Sequence, residues 1–291
     1  MILVTGATGT IGSQVARRLA AKHPLRLMTR HPERLGDACA DAEIIQADYS
    51  DPPSLRPALR GVRAVFLVTS NPLADDDGPF VHAARAAGVR HLVKLSAAAV
   101  ADEQANDLIT SWQRRNEQIV RSSGLHWTLL RPRSFMSNAL SWAHSIRSKG
   151  VVRALHGASL NACVDPRDVA DVAVRALCDE EPSGLAHLLT GPAALSPITQ
   201  TDALSQILGR PLTFEELDVA QARRQLRRQQ PHAVAEALLH SAQRQHAGAK
   251  REVTHTVEKL LGRPAGSFQS WVSDHAYRFA DRDDAIAQSQ H

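Results

Sequence analysis

Short apolar runs alternate with amphipathic stretches along the first part of the chain. The runs Ile2–Thr5, Leu25–Thr29, Glu43–Ala47, Ala64–Thr69, His91–Ser96 and Trp127–Arg131 predict strands. Between them, apolar positions recur at helical spacing over about 11–22, 53–60, 77–87 and 107–123. Strands alternating with helices imply right-handed crossovers and a parallel sheet covered on both faces. Val65-Phe66-Leu67-Val68 and Leu92-Val93-Lys94-Leu95 read as strands buried on both sides, with Lys94 interrupting the second. Asp51 is expected to cap the helix that opens at Pro52-Pro53.

Beyond Arg131 the rhythm changes. Pro132 ends the strand, and Phe135, Met136 and Trp142 follow closely. A helix from near Pro166 carries Val169, Val172, Ala173 and Ala176 on one face. A strand is expected over Ala186–Thr190 and a helix over about 199–208, ending at Gly209. The polar segment 218–251 reads as helical, as does 252–261, and 281–291 reads as a frayed tail.

Composition narrows this picture. The chain has 291 residues, 43% hydrophobic and 22% charged, enough for one large domain or a domain with a smaller lobe. No apolar run reaches membrane-spanning length, and the start Met1-Ile2-Leu3-Val4-Thr5-Gly6 lacks the basic region of a secretion signal. Three scattered cysteines, Cys39, Cys163 and Cys178, form no disulfide framework and suggest a reducing cytoplasm. The fourteen histidines include no HExxH and no compact His/Cys cluster, so no metal is expected. A net charge of +4 suits an anionic ligand without indicating nucleic acid. The expectation is a monomer or homodimer acting on a small molecule, with no nucleic-acid or membrane partner.

The sharpest chemical signal is Thr5-Gly6-Ala7-Thr8-Gly9-Thr10-Ile11-Gly12. It follows the first strand and opens the first helix. Gly6 allows a tight exit, Gly9 lets a pyrophosphate approach the backbone, and Gly12 lets helix and strand pack closely. Thr8, Thr10 and Ile11 complete the cradle, and the helix N-terminus favours phosphate. An NAD site usually has an acid near the end of the second strand. Leu27-Met28-Thr29-Arg30-His31 has none. Arg30 stands where a 2′-phosphate would sit, with Arg34 a turn later, which argues for NADP(H) over NAD(H). The alternative is that both arginines are merely solvated. Asp48 and Tyr49, closing the third strand, are candidates to flank the adenine.

These residues resemble the NmrA-like branch of the atypical short-chain dehydrogenase/reductase superfamily. The resemblance is carried by Val4 to Gly12, Arg30-His31-Pro32-Glu33, Gly88 to Ser96 and Ser123 to Pro132. Phe135-Met136-Ser137-Asn138, Val164 to Ala170 and Leu208-Gly209-Arg210-Pro211 extend it to about residue 279. It implies a Rossmann-type doubly wound parallel sheet with a smaller C-terminal substrate lobe. The family includes NADPH-dependent reductases of quinones, iminium ions and enones, and catalytically silent nucleotide sensors. Ordinary superfamily members use a Ser, and a Tyr and Lys four apart on one helix. Carried onto this chain, the Ser position is Ala97 or Ser96, the Tyr position is Gln113 and the Lys position is Glu117. The two tyrosines, Tyr49 and Tyr277, lie elsewhere. A general acid is typically worth about 10²–10⁴ in rate, so its loss points to an already activated substrate.

Ser96, Gln113 and Lys94 are the candidates for catalysis; the alternative for Lys94 is a chain snorkelling at the sheet rim. Glu117 is expected to pair with Arg121 one turn on. In open parallel sheets, ligands sit beyond the carboxyl ends of the strands. Thr69, Ser70 and Asn71 are therefore placed near the ribose or nicotinamide, Pro132 and Phe135 near the nicotinamide end, and Ser96 is a candidate for cofactor contact as well as for catalysis. Ala97, Trp112, Phe135, Met136, Asn138 and Trp142 are candidates for an apolar substrate pocket; the aromatics' alternative is simple packing of the lobe. Arg223-Arg224 and Arg227-Arg228 share a helical face that reads as solvated, or as contact with an acidic partner or second subunit. The organisation expected is a cofactor-binding core over 1–132 and a segment 133–280 that completes the sheet and forms the substrate lobe. Residues 281–291 form the tail.

Overall fold

Nine strands and eleven α-helices follow one another in the computed structural model, which describes residues 1–20, 22–35, 41–179 and 183–280. In chain order they are β1 (Ile2–Thr5), α1 (Gly12–Ala20), β2 (Leu25–Thr29), β3 (Glu43–Gln46), α2 (Pro52–Leu59), β4 (Ala64–Leu67) and α3 (Asp77–Ala86). Then come β5 (His91–Leu95), α4 (Leu108–Arg121), β6 (His126–Pro132), α5 (Ala143–Lys149), β7 (Val151–Ala154), α6 (Pro166–Cys178) and β8 (Leu185–Leu189). The chain continues through α7 (Pro197–Leu208), β9 (Thr213–Glu216), α8 (Val219–Arg227), α9 (His232–His246), α10 (Thr256–Leu261) and α11 (Phe268–Asp274). Cys39 and the expected tail 281–291 lie outside the described residues.

The chain divides into two units. The first comprises Met1–Pro132, Pro166–Leu189 and Lys259–Gly262; the second comprises Arg133–Asp165, Thr190–Glu258 and the chain from Arg263. Seven parallel strands in the order β3-β2-β1-β4-β5-β6-β8 form the sheet of the first unit. This is the Rossmann arrangement: the order reverses between β1 and β4, and that switch point opens a crevice at the carboxyl ends of the strands. Ile2 lies beside Leu25 on one flank of β1 and beside Ala64 on the other. All four residues of β1 and of β4 are buried, as strands covered on both faces must be. Leu3, Leu55, Leu59, Val65, Leu67, Phe80, Leu92, Val120 and Leu129 form a core against this sheet. Arg18 of α1 pairs with Asp171 of α6.

The second unit has a small parallel pair, β7 with β9, which the sequence pattern did not reveal because Val151-Val152-Arg153-Ala154 and Thr213-Phe214-Glu215-Glu216 show neither an apolar run nor a clean alternation. Its core collects Met136, Ile146, Val152, Leu204, Phe268, Trp271 and Phe279. The expected helix over 218–251 is two helices. Pro231 stands at the entry of α9 with an extended ψ of 150°, a break that proline imposes on its own N–H and on the preceding residue. Helix α8 packs along α9, and Arg223 forks onto Glu236 at 3.0 and 3.3 Å, so that arginine is not merely solvated. Helix α11 was not foreseen, and α10 starts at Thr256 rather than 252. Asp51 occupies the N-cap position of α2, but its side chain makes no cap bond. Ser54 in the first turn ties the entry loop instead, its hydroxyl donating to Asp51 O at 2.6 Å and accepting from Asp48 N–H at 3.1 Å.

Candidate active site

The glycine turn is dictated by space. Gly6 has φ +61°, and a Cβ there would come within 3.0 Å of Val68 Cβ. A Cβ on Gly12 would lie 2.1 Å from Gly6 O, so α1 can start there only with glycine. Gly9 N–H closes the turn on Gly6 O at 2.9 Å. Thr8, Gly9 and Thr10 are exposed, whereas Ile11 is buried beneath them. The first turn of α1 carries no acid to repel an anion. An open turn leading into a helix N-terminus, with no room for side chains at its base, fits the pyrophosphate of a dinucleotide.

At the end of β2, Arg30 and Arg34 are both exposed. Among the described residues, no hydrogen bond or ion pair engages either guanidinium. The nearby acid Glu33 is held by His31 at 3.1 Å. Asp48 Oδ1 accepts from Ser50 N and Oγ, both at 2.9 Å. The Ser50 backbone N–H holds its carboxyl below the usual range. Tyr49 is braced from behind: its hydroxyl donates to Val68 O at 2.8 Å, and its ring meets the edge of Phe80. Burial pushes the phenol far above the ordinary tyrosine range. The Val68 N–H also donates to Thr5 Oγ1 at 2.8 Å, so one loop residue gathers the ends of β1, β3 and β4.

Two buried ionic clusters lie at the ends of β4, β5 and β6. Lys94 is fully buried, pairs with Asp77 at 2.9 Å and donates to Thr69 Oγ1 at 2.6 Å. Thr69 in turn donates to Asp77 Oδ2 at 2.8 Å. The snorkelling alternative for Lys94 therefore fails, because its ammonium points inward to a counter-ion on the first turn of α3. Burial pushes Lys94 below the usual lysine range, against the pull of Asp77. The Thr69 hydroxyl is consumed in this cluster; Ser70 and Asn71 stay exposed, and Asn71 Oδ1 accepts Leu73 N–H at 3.1 Å.

The second cluster brings together Ser96, one of the two candidates for the superfamily Ser position, and Glu117, the candidate Lys position. Ser96 Oγ donates to Glu117 Oε1 at 2.6 Å. Arg131 forks onto the same carboxylate, Nε at 2.8 Å and NH2 at 2.5 Å. The expected Arg121 contact is present but longer, 3.3 Å, and it is not what defines Glu117. Burial alone would raise the Glu117 carboxyl; the bonds from Arg131 and Ser96 outweigh it and hold the group below the usual carboxylate range. Ala97 follows, half-buried. On the same helix, Trp112, Gln113 and Asn116 are buried. Trp112 Nε1, Gln113 Oε1 and both amide atoms of Asn116 have no hydrogen-bond partner among the described residues. Buried polar atoms of this kind ordinarily meet water or a ligand group.

Pro132 closes β6 beside Leu189 of β8. In the second unit, Phe135 is half-buried and Asn138 exposed. Met136 is a core residue, its N–H bonded to Val164 O at 3.0 Å, and Trp142 packs on that same core. For these two the packing alternative describes their contacts. Asp77, Asn116 and Arg131 escaped the sequence reading. The only available signal was a lysine inside an apolar strand, which demands a buried acid somewhere.

A family pattern described as NAD(P)H-binding matches residues 6–180. A (4-alkanoyl-5-oxo-2,5-dihydrofuran-3-yl)methyl phosphate reductase of Streptomyces griseus is 55% identical over 280 residues, 96% of this chain and 99% of the relative. An NAD(P)H azoreductase of Xenophilus azovorans is 35% identical over 286 residues, 96% of this chain and 99% of the relative. The structure of an Escherichia coli NADPH-dependent quinone oxidoreductase complexed with NADPH superposes with TM-score 0.83 at 25% identity, covering 95% of this chain and 100% of that one. With its glycine turn and Rossmann strand order, the chain belongs to the NAD(P)H-binding Rossmann family, in the NmrA-like group of atypical short-chain dehydrogenase/reductases, and is an NAD(P)H-dependent oxidoreductase.

Proposed function

We propose that the protein is an NADPH-dependent reductase of conjugated carbonyl compounds, of the acyl-butenolide phosphate kind that the Streptomyces griseus relative is named for. The observation that carries this reading is the occupancy of α4. The positions of the usual Tyr and Lys hold Gln113 and Glu117, and Glu117 is ionised and committed to Arg131 and Ser96. Neither residue offers a titratable proton near neutral pH. An isolated ketone needs such a donor, typically worth about 10²–10⁴ in rate. An acyl-butenolide does not: its C=C carries two carbonyls on one carbon. Hydride on the β-carbon sends the C=C electron pair into an enolate spread over both carbonyls, and water then protonates the α-carbon. Bound NADPH supplies the hydride. The chain's residues bind and orient: the turn Gly6–Gly12 cradles the pyrophosphate, and Arg30 and Arg34 engage the 2′-phosphate, favouring NADP(H) over NAD(H). Phe135 and Asn138 of the second unit contribute to the substrate lobe. The reaction belongs in the cytoplasm, where thiols stay reduced.

The test is NADPH oxidation by the purified protein with an acyl-butenolide phosphate, a quinone, an azo dye and an isolated ketone. With C4-deuterated NADPH, the deuterium should appear on the β-carbon of the butenolide. The missing tyrosine also supports a second reading, a non-catalytic NADP(H) sensor that docks on a regulatory protein. Tight NADPH binding with no turnover of any substrate would select it.

A further inference from the structure

Ser96 directly follows β5 at the carboxyl edge of the sheet, two residues on from Lys94, and is almost fully buried. A serine hydroxyl has one proton and two lone pairs. Here the proton is spent: it lies in the 2.6 Å bond to Glu117 Oε1. Glu117 is in no position to give one back. Both its oxygens are covered by the Arg131 fork, and Arg121 adds a third cationic contact. The Ser96 backbone N–H is bonded to Leu130 O at 2.7 Å. Lys94 itself is turned to Asp77 and Thr69. What Ser96 has left for a ligand is lone pairs alone.

We infer that Glu117 is a positioning residue that makes Ser96 an obligate hydrogen-bond acceptor, which receives an N–H or O–H of the cofactor's nicotinamide riboside rather than donating to a substrate carbonyl. The inference rests on the NADPH reductase reading and deepens it. With Ser96 reversed in this way, the site has no hydroxyl to polarise an isolated ketone. Selection then favours substrates whose hydride adduct carries its own charge. The acceptor role also gives the buried Arg131–Glu117 pair a function beyond stability, since an ionised, fully bonded carboxylate is what keeps the serine proton from turning outward.

The experiment is direct cofactor binding by calorimetry on the full chain, with NADPH and two kinds of analogue. In the acetylpyridine analogue the carboxamide N–H groups are gone; in analogues deoxygenated on the nicotinamide ribose an O–H is gone. A net hydrogen bond corresponds to roughly 2- to 12-fold in affinity. The wild-type chain should bind one kind of analogue weaker than NADPH by about that factor, which tells whether the donor is the amide or the ribose. Ser96→Ala should weaken NADPH by a similar factor and no longer distinguish that analogue, while Ser96→Thr, which keeps the hydroxyl, should restore the distinction. In turnover the Ser96→Ala loss should fall more on KM for NADPH than on kcat. Glu117→Met, similar in volume but without an oxygen acceptor, frees the serine proton and should raise the ratio of ketone to butenolide reduction. If Ser96→Ala folds and binds NADPH and every analogue as wild type does, or loses kcat about 100-fold at unchanged affinity, the acceptor role is wrong. The binding arms need no substrate, so they decide this even where the butenolide assignment fails.

Discussion

The two charged regions of the Rossmann unit behave in opposite ways. At the rim, Arg30, Arg34 and the turn Thr8–Thr10 face solvent, and the two guanidinium groups engage no acceptor among the described residues. A few strands away, Lys94, Asp77 and Glu117 are buried and spend their charge on Arg131, Thr69, Ser96 and one another. Water stabilises the rim charges until a ligand replaces it. The interior charges have no water and must be paired or become neutral. A charge that the protein leaves exposed and unpaired is available to an anionic ligand; a charge it has buried has become part of the framework that holds the site in shape.

The largest way to break this contrast is Asp77→Asn, which leaves the Lys94 ammonium buried without its counter-ion. Breaking a buried pair costs about 3–5 kcal/mol, to be read from urea unfolding. Asp77→Asn with Lys94→Met should recover much of it. A loss below about 1 kcal/mol for the single variant would mean the pair is not ionised. Gly12→Ala comes next. Its methyl would overlap the Gly6 carbonyl, so the turn must open. Overpacking of this kind costs about 1–3 kcal/mol, and NADPH affinity should fall as well. An alanine variant with unchanged affinity would separate the turn from the cofactor.

At the rim, Arg30→Ala should leave stability unaltered but weaken NADPH by roughly 10- to 150-fold, the worth of hydrogen bonds to a charged group. NADH binding should stay nearly the same; equal losses for both cofactors would remove Arg30 from the 2′-phosphate. Acid sharpens the interior side. Glu117 titrates lower in the folded protein than in the unfolded chain. Its stabilisation is therefore complete above the unfolded value of about 4.3 and drains away as pH falls through the folded value. Wild type should lose more urea resistance between neutral pH and the acid range than Glu117→Gln does. The smallest effect is Tyr49→Phe, which removes one hydroxyl bond and should cost about 0.5–1.5 kcal/mol, with turnover within a few-fold of wild type. A dead variant that still binds NADPH would make Tyr49 the proton donor and overturn the tyrosine-free reading.

Much of the first unit was legible because its signals are local. The strand runs of β1, β2 and β5 stand out by composition alone. The turn at Gly6–Gly12 is legible because a positive φ and a 2.1 Å approach admit only glycine. The second unit was less legible. Strands β7 and β9 mix polar and apolar residues without a run or a clean alternation, and the break before α9 was hidden in a largely polar segment. At the site, Ser96, Gln113 and Glu117 were picked out by the family resemblance, but the bonds of Ser96 and Arg131 to Glu117 were not. Tyr49, a candidate beside the adenine, has its hydroxyl taken by Val68, and Met136, a candidate pocket residue, is core.

Sequence by itself determined most elements of the first unit, where the glycine turn lies, and that neither tyrosine, Tyr49 or Tyr277, falls on α4. Each of these depends on neighbours within a turn or two, through side-chain period, backbone sterics or simple identity. Only the tertiary structure decided what the charges do. Ser96 and Glu117 are 21 residues apart, and Glu117 and Arg131 are 14 apart. Whether such groups meet depends on sheet order and on how a helix rolls against its strand. Burial then sets the outcome, because removing water turns a chance encounter of opposite charges into a requirement.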